Sequence, residues 1–199
     1  MFFADRITNI RSSDRVLEVG PGGCPHPRAD VLLEKQFSTE AEAFGQRGRA
    51  AALSTTKPTI YFDGSQFPFR DKEFDYVICS HVLEHVTDIK AFCSELTRVA
   101  GKGYIEFPII YYDYLYDIPE HVTLLFWQND IIRYMAKKDS GIQAFSPVTR
   151  LFFYTLQQGH DALLRAFKPL FFQGFEWEGS LTVEQVNSIS ELCWPFATK

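Results

Sequence analysis

Hydrophobic residues along this chain fall first into short, nearly unbroken runs. Residues 16–19, 31–33, 59–62, 74–79 and 104–107 are such runs, and each ends at a glycine, an acid, a small polar residue or a proline. Runs this short, without alternation, predict strands buried on both faces, as in a parallel sheet. Between them the period changes. Ile89, Phe92, Leu96 and Val99 recur at three- and four-residue spacing, which predicts a helix over 88–99. Ile131, Ile132 and Met135 behind Asn129 predict another over 129–138, and Phe152, Leu156, His160, Leu163 and Phe167 share one helical face. Strands alternating with helices predict an α/β fold with a mainly parallel sheet. Near the end, 170–177 and 181–186 flank Glu178-Gly179-Ser180, the pattern of an antiparallel hairpin. Residues 37–58 have no clear period and read as a loose helix or loop. Residues 109–168, between the fifth strand and the hairpin, are expected to cap the strand ends within a single domain, 1–199.

Composition narrows the picture. Hydrophobic residues make up 46% of the 199, enough for one real core. The net charge is −5 with no basic run, so a nucleic-acid partner is not expected. The four cysteines are scattered without a CxxC pair, which predicts free thiols and neither zinc nor disulfides. The N-terminal stretch breaks at Asp5 and Arg6, and no run is long enough to span a bilayer, so a soluble, cytoplasmic protein without a membrane partner is expected. The apolar face 152–167 reads as core or as the contact of a homodimer.

In open parallel sheets, ligands bind outside the carboxyl ends of the strands. Here those ends carry Gly20-Pro21-Gly22-Gly23, Glu34, Asp63, Ser80-His81 and Pro108. Glycines let backbone approach a ligand closely. The dinucleotide pattern GxGxxG fails, because Pro25 stands at its third glycine and proline has no amide for a pyrophosphate. That disfavours a dehydrogenase. Glu34 can accept bonds from two ribose hydroxyls, with Asp30 as a rival, and Asp63 can accept from an exocyclic amine. Glu18, inside the first strand, needs a partner if buried and can order the glycine turn. Three carboxylates around such a turn suit a cationic, adenosine-bearing ligand without phosphates.

The stretch VLEVGPGG resembles the first motif of class I S-adenosylmethionine-dependent methyltransferases. FDGSQFPFRDKEFDYVICSHVLEHVTD is similar to the middle motifs of their type 11, small-molecule subgroup, and ELTRVAGKGYIEFP to the helix, turn and fifth strand that follow. The resemblance covers about residues 14–110. It implies a Rossmann-like, mainly parallel seven-stranded sheet in three α/β/α layers, with the C-terminal hairpin as its antiparallel part. It implies S-adenosylmethionine as cofactor, S-adenosylhomocysteine as product, and a small-molecule acceptor. It also implies that Gly20, Gly22 and Gly23 line the methionine and ribose, that Glu34 holds the ribose, and that Asp63 and the Gly64 amide meet the adenine. Ser80 and His81 would lie beside the methyl. The chain departs from the family in one place: CPHPRAD leaves no room for the usual first crossover helix, so His26 or Arg28 is expected to bind the methionine carboxylate instead. His121, in PEHVTLLFW, resembles a histidine that precedes an aromatic and a helix in this subgroup. His81 and His121 are the candidate bases, and Tyr111, Tyr112 and Tyr114 the candidate acceptor pocket.

Methyl transfer is an in-line displacement in which the protein mainly aligns the reactants and excludes water. His81, Glu84 and His85 superficially suggest a metal, but the HExxH pattern is absent and no metal is expected. The rival expectation is a catalytically silent relative that binds the cofactor or serves as an interaction module.

Overall fold

The computed structural model describes residues 1–46, 53 and 55–194, without the Leu163 side chain. The five apolar runs become parallel strands: β1 (Val16–Val19), β2 (Val31–Lys35), β3 (Thr59–Phe62), β4 (Tyr76–Ser80) and β5 (Lys102–Pro108). Four further segments are strands: β6 (Thr123–Gln128), β7 (Ile131–Ala136), β8 (Phe172–Glu178) and β9 (Thr182–Gln185). The main sheet has six strands in the order β3-β2-β1-β4-β5-β8, with β8 antiparallel to β5. Its order reverses between β1 and β4, where open α/β sheets place their ligands. The fold is thus the expected Rossmann-like α/β architecture with a mostly parallel sheet.

Alternate residues of each strand serve two different faces. On one, Leu17, Val19, Leu33, Val77, Cys79, Ile105 and Phe107 pack in a single cluster with helix α2 (Ile89–Val99), whose Ile89, Phe92, Leu96 and Val99 are the residues its period predicts. Asp88 caps that helix by accepting the Ala91 amide. On the other face, Val16, Tyr76, Ile78 and Tyr104 meet no helix over their middle; Ile7 and Ile10 of an extended N-terminal strap pack there. The strap is held by carboxylates standing on the strands. Glu106 accepts the Phe2 and Phe3 amides at 2.7 and 2.9 Å. Glu176 accepts the Thr8 and Asn9 amides, the Thr8 hydroxyl and the Tyr76 hydroxyl. The strap thus covers the sheet centre on this face, while Tyr116, Leu164 and Phe171 of later helices pack with Phe3 and Phe172 beside it.

The reason lies in the first crossover. Residues 20–30 form no helix, because Pro25 and Pro27 remove donors and only a few residues separate β1 from β2. Buried Glu18 accepts the His26 amide at 2.7 Å, and the Lys57 ammonium donates to the carbonyls of His26, Pro27 and Ala29. These bonds replace a helix's own ladder. Of the unplaced 37–58 segment, Glu40–Gln46 forms a short helix, α1, with no buried residue; residues 47–52 and 54 lie outside the described residues.

Two expected elements are corrected. The 129–138 segment is not a helix. Asn129 and Asp130 both have positive φ, 52° and 60°, and turn β6 into antiparallel β7. The C-terminal hairpin does not form either. After Gly179 (φ +79°) the chain leaves the main sheet, and β9 pairs in parallel with β7 in a second sheet, β6-β7-β9. That sheet has apolar residues to bury: Leu125, Phe126 and Ile132 are almost fully covered, and Val183 packs against the same core. The main sheet therefore has six strands, not seven. The Gln173 side chain of β8 joins the sheets, bonding the Trp127 amide and carbonyl at 2.7 and 2.9 Å.

The rest of 109–168 contains α3 (Ile110–Tyr116), α4 (Ser146–Gln157) and α5 (Ala162–Ala166), followed by α6 (Lys168–Phe171). The supposed single helical face is broken at Gly159 (φ +83°). Leu156 packs toward Tyr116 and Phe171, whereas Leu151, Tyr154 and Phe167 are exposed. No helix among the described residues is long and apolar enough to cross a membrane.

Candidate functional site

A cavity of about 1210 Å³ opens at the carboxyl ends of β1 to β4. It is lined by Gly20, Gly22, Gly23, Glu34, Asp63, Gly64, Ser80 and His81, so strand topology gathers eight of the expected cofactor residues on one wall. Gly20 is required twice. Its φ is +64°, and a Cβ there would lie 2.4 Å from Val82 Cγ2. Gly22 also has positive φ, +59°, and open space where its Cβ would be. Glu34 is buried at the end of β2 and accepts its neighbour Lys35's amide at 2.9 Å. Asp63 is exposed on the rim, and its carboxylate accepts both the amide and the hydroxyl of Ser65, which lower its pKa. In this geometry Asp63 shapes the turn around Gly64.

Three expected contacts lie elsewhere. Glu18 does not line the cavity; burial pushes its pKa up to about 7 against the opposing His26 amide, and its work is to hold the crossover. His26 accepts the Arg28 amide through Nδ1, and the Arg28 guanidinium donates to the Arg11 and Asp14 carbonyls. Neither reaches the cavity, because the proline-bound loop directs both toward the N-terminal segment. Asp30 is engaged with the Val16 amide.

His81 has φ of +58°, uncommon for a residue with a Cβ, and its ring lies between two carboxylates. Nδ1 is 3.3 Å from Glu84 and Nε2 2.9 Å from Glu106. Burial opposes charging the ring, but hydrogen bonds to Glu106 and Glu84 push its pKa up to about 9. Burial likewise opposes charge on Glu106, yet His81, Tyr104 and the Phe2 amide bring its pKa down to about 2. His81 is thus an imidazolium with both nitrogens engaged. Its charge is balanced within the cluster by the two carboxylates on either side.

Residues 35–105, less than half of the chain, match the model of the Methyltransf_11 family, described as a methyltransferase domain. That segment is similar to a methyltransferase domain. No curated protein matches it. Solved structures with a similar fold include the YcgJ protein of Bacillus subtilis (18% identity, 57% of this chain and 56% of that one, TM-score 0.41). A candidate methyltransferase of Bacillus halodurans is 21% identical over 56% of this chain and 55% of its own, with a TM-score of 0.40. An S-adenosylmethionine-dependent methyltransferase of Methanosarcina mazei is 16% identical over 61% and 69%, with a TM-score of 0.36. The chain spans a little over half the length of the first two.

A second cavity, of about 1140 Å³, shares Thr87 and Asp88 with the first. His121 lines it, together with Tyr116, Tyr134, Lys137 and Arg150. The expected acceptor tyrosines do not. Tyr111 stacks on Trp194 with ring centroids 5.0 Å apart, Tyr112 packs on Phe172, and the Tyr114 hydroxyl donates to the Ser140 carbonyl. They pack around α3 instead of lining this cavity. The chain after His121 enters strand β6, not the helix its resemblance implied. His121 itself is buried, and its Nδ1 bonds the Asp113 carboxylate at 2.9 Å. Lys137 secures that carboxylate at 3.3 Å, a partner the sequence pattern could not show because it comes from the turn after β7.

Proposed function

We propose that this protein transfers a methyl group from S-adenosylmethionine to a small-molecule acceptor. The carrying observation is the cavity that joins the glycine turn, buried Glu34 and Ser80-His81 at the sheet's reversal point, beside the 35–105 segment that resembles a methyltransferase domain. Its volume is ample for a nucleoside-sized ligand. The glycine cradle fits such a ligand, because a side chain at Gly20 would collide with Val82. Glu34 would hold the ribose hydroxyls and the Gly20–Gly23 backbone the amino-acid arm.

When bound, S-adenosylmethionine supplies a methyl group already activated on a sulfonium. The protein's remaining work is alignment and exclusion of water. Val82, Val86 and Phe92 give the cavity apolar walls. Thr87 and Asp88 border both cavities, so an acceptor in the second one approaches the first there. Lys90, Lys138 and Arg150 on the second cavity favour an acceptor bearing negative charge. His121 lines the second cavity with its Nδ1 on Asp113, which fixes the orientation of its ring there.

Calorimetry with S-adenosylhomocysteine, and separately with NAD, tests the cofactor. Saturable binding of the first alone is expected; folded protein that ignores it would sink the proposal. Incubation of cell extract with methyl-labelled cofactor tests the acceptor. Label in the low-molecular-weight fraction is expected, and label confined to protein or nucleic acid contradicts a small-molecule acceptor.

A further inference from the structure

We propose that Glu84, His85 and His121 form a binding site for one divalent transition-metal ion, between the two cavities. Each of the three offers a ligand atom within 4.8 Å of the others. Glu84 and His85 come from a short 3₁₀ turn after β4, and His121 from the loop before β6. The two segments are bonded together: the Val122 amide donates to the Glu84 carbonyl at 2.8 Å, and the Thr123 hydroxyl donates to the Val86 carbonyl at 2.6 Å.

The state of each side chain is what points to a ligand. Glu84 is 1% exposed, and its Oε2 has no hydrogen-bond partner, although its other oxygen faces His81. A buried carboxylate oxygen left bare is costly, and a cation is one way to satisfy it. Both histidines are oriented from behind. His121 Nδ1 donates to the Asp113 carboxylate, and His85 Nδ1 donates to the Glu120 carbonyl at 2.9 Å. Each bond fixes the tautomer and leaves Nε2 as the coordinating nitrogen. Carboxylate and carbonyl partners of this kind are the usual supports of metal-bound histidines. The rings face one another edge-to-face, with centroids 5.1 Å apart.

Two imidazoles and one carboxylate suit zinc, cobalt, manganese or iron(II) better than magnesium or calcium, which prefer all-oxygen shells. Metal bonds of about 2.1 Å require the three ligand atoms to draw closer than they stand here. Three protein ligands leave at least one position for an exogenous ligand. His85 lines the glycine-rich cavity and His121 the adjoining one, so that position lies where an oxygen of an acceptor molecule can reach it. The site was hidden from motif reading because its third ligand is far along the chain and HExxH is absent.

Cobalt(II) is the probe. Protein stripped with chelator and titrated with CoCl₂ is expected to show visible d–d bands saturating at one equivalent, without the intense thiolate charge-transfer band a cysteine site would give. His121→Ala and Glu84→Gln should each weaken the titration at least tenfold, and Asp113→Asn ten- to a hundredfold. His160→Ala, at an exposed histidine, should leave it unchanged. If the buried variants fail to fold, the wild-type titration still decides. Absence of d–d bands, or thiolate bands, overturns the site, as does a spectrum that survives His121→Ala in folded protein.

Discussion

Glu34 and Gly20 make the sharpest demands on single residues. Glu34→Ala removes a buried carboxylate from the cavity wall and should weaken S-adenosylhomocysteine by about ten- to a hundredfold, a loss on the order of 1.5–3 kcal/mol. Calorimetry with the variant checks this, and an unchanged affinity rejects the ribose role. Gly20→Ala should cost stability as well, by about 1–3 kcal/mol, since it adds left-handed strain and a collision with Val82. Chemical denaturation reads that loss directly; equal midpoints would refute the tight fit. Both residues were legible in the sequence, since a glycine or acid at a strand end is a local signal. His81 was half legible. Its place was evident, but its charge depends on Glu106 of the neighbouring strand, and nothing in the local pattern of either residue announced their meeting.

At the scale of elements, the shortened crossover is the most unusual part, and its electrostatics give it a pH signature. Glu18 titrates at about 7 in the fold, above the ordinary carboxylate value of 4.5. Folding thus favours its protonated form. The stability it contributes is complete below pH 4.5 and is lost as pH rises through 7, by about 3 kcal/mol. Glu18→Gln should therefore flatten the stability profile between pH 4.5 and 8, so that the variant gains on the wild type as pH rises. Urea denaturation across that range measures it, and parallel curves contradict the burial effect. The five parallel strands and α2 were readable because their apolar periods match their burial. The β6–β7 hairpin was misread because Asn129-Asp130 can start a helix as readily as it can form a left-handed turn, and tertiary burial decided between them. The β9 pairing had no local signal, since a strand's partner is not encoded in its own alternation.

At the scale of the molecule, stability should fall away at both ends of the pH range through one buried pair. The Glu106 contribution is present above pH 4.5 and lost as pH falls toward 2. The His81 contribution is present below pH 6.5 and lost as pH rises through 9. Because Glu106 also holds the N-terminal strap, amide exchange at Phe2 and Phe3 should accelerate on the acid limb before the sheet opens. Exchange mass spectrometry at pH values matched for intrinsic rate tests this, and uniform protection of the strap would count against it. The second sheet carries a consequence of another kind. β9 pairs with β7 across an intervening chain that includes β8, itself paired with β5. Such non-local pairing slows folding, so refolding is expected to show a slow phase reported by Trp127, whose ring stacks on Phe175 of β8; a single fast phase would contradict it. Gln185 of β9 lines the second cavity, so that wall of the cavity is complete only when β9 has joined the second sheet.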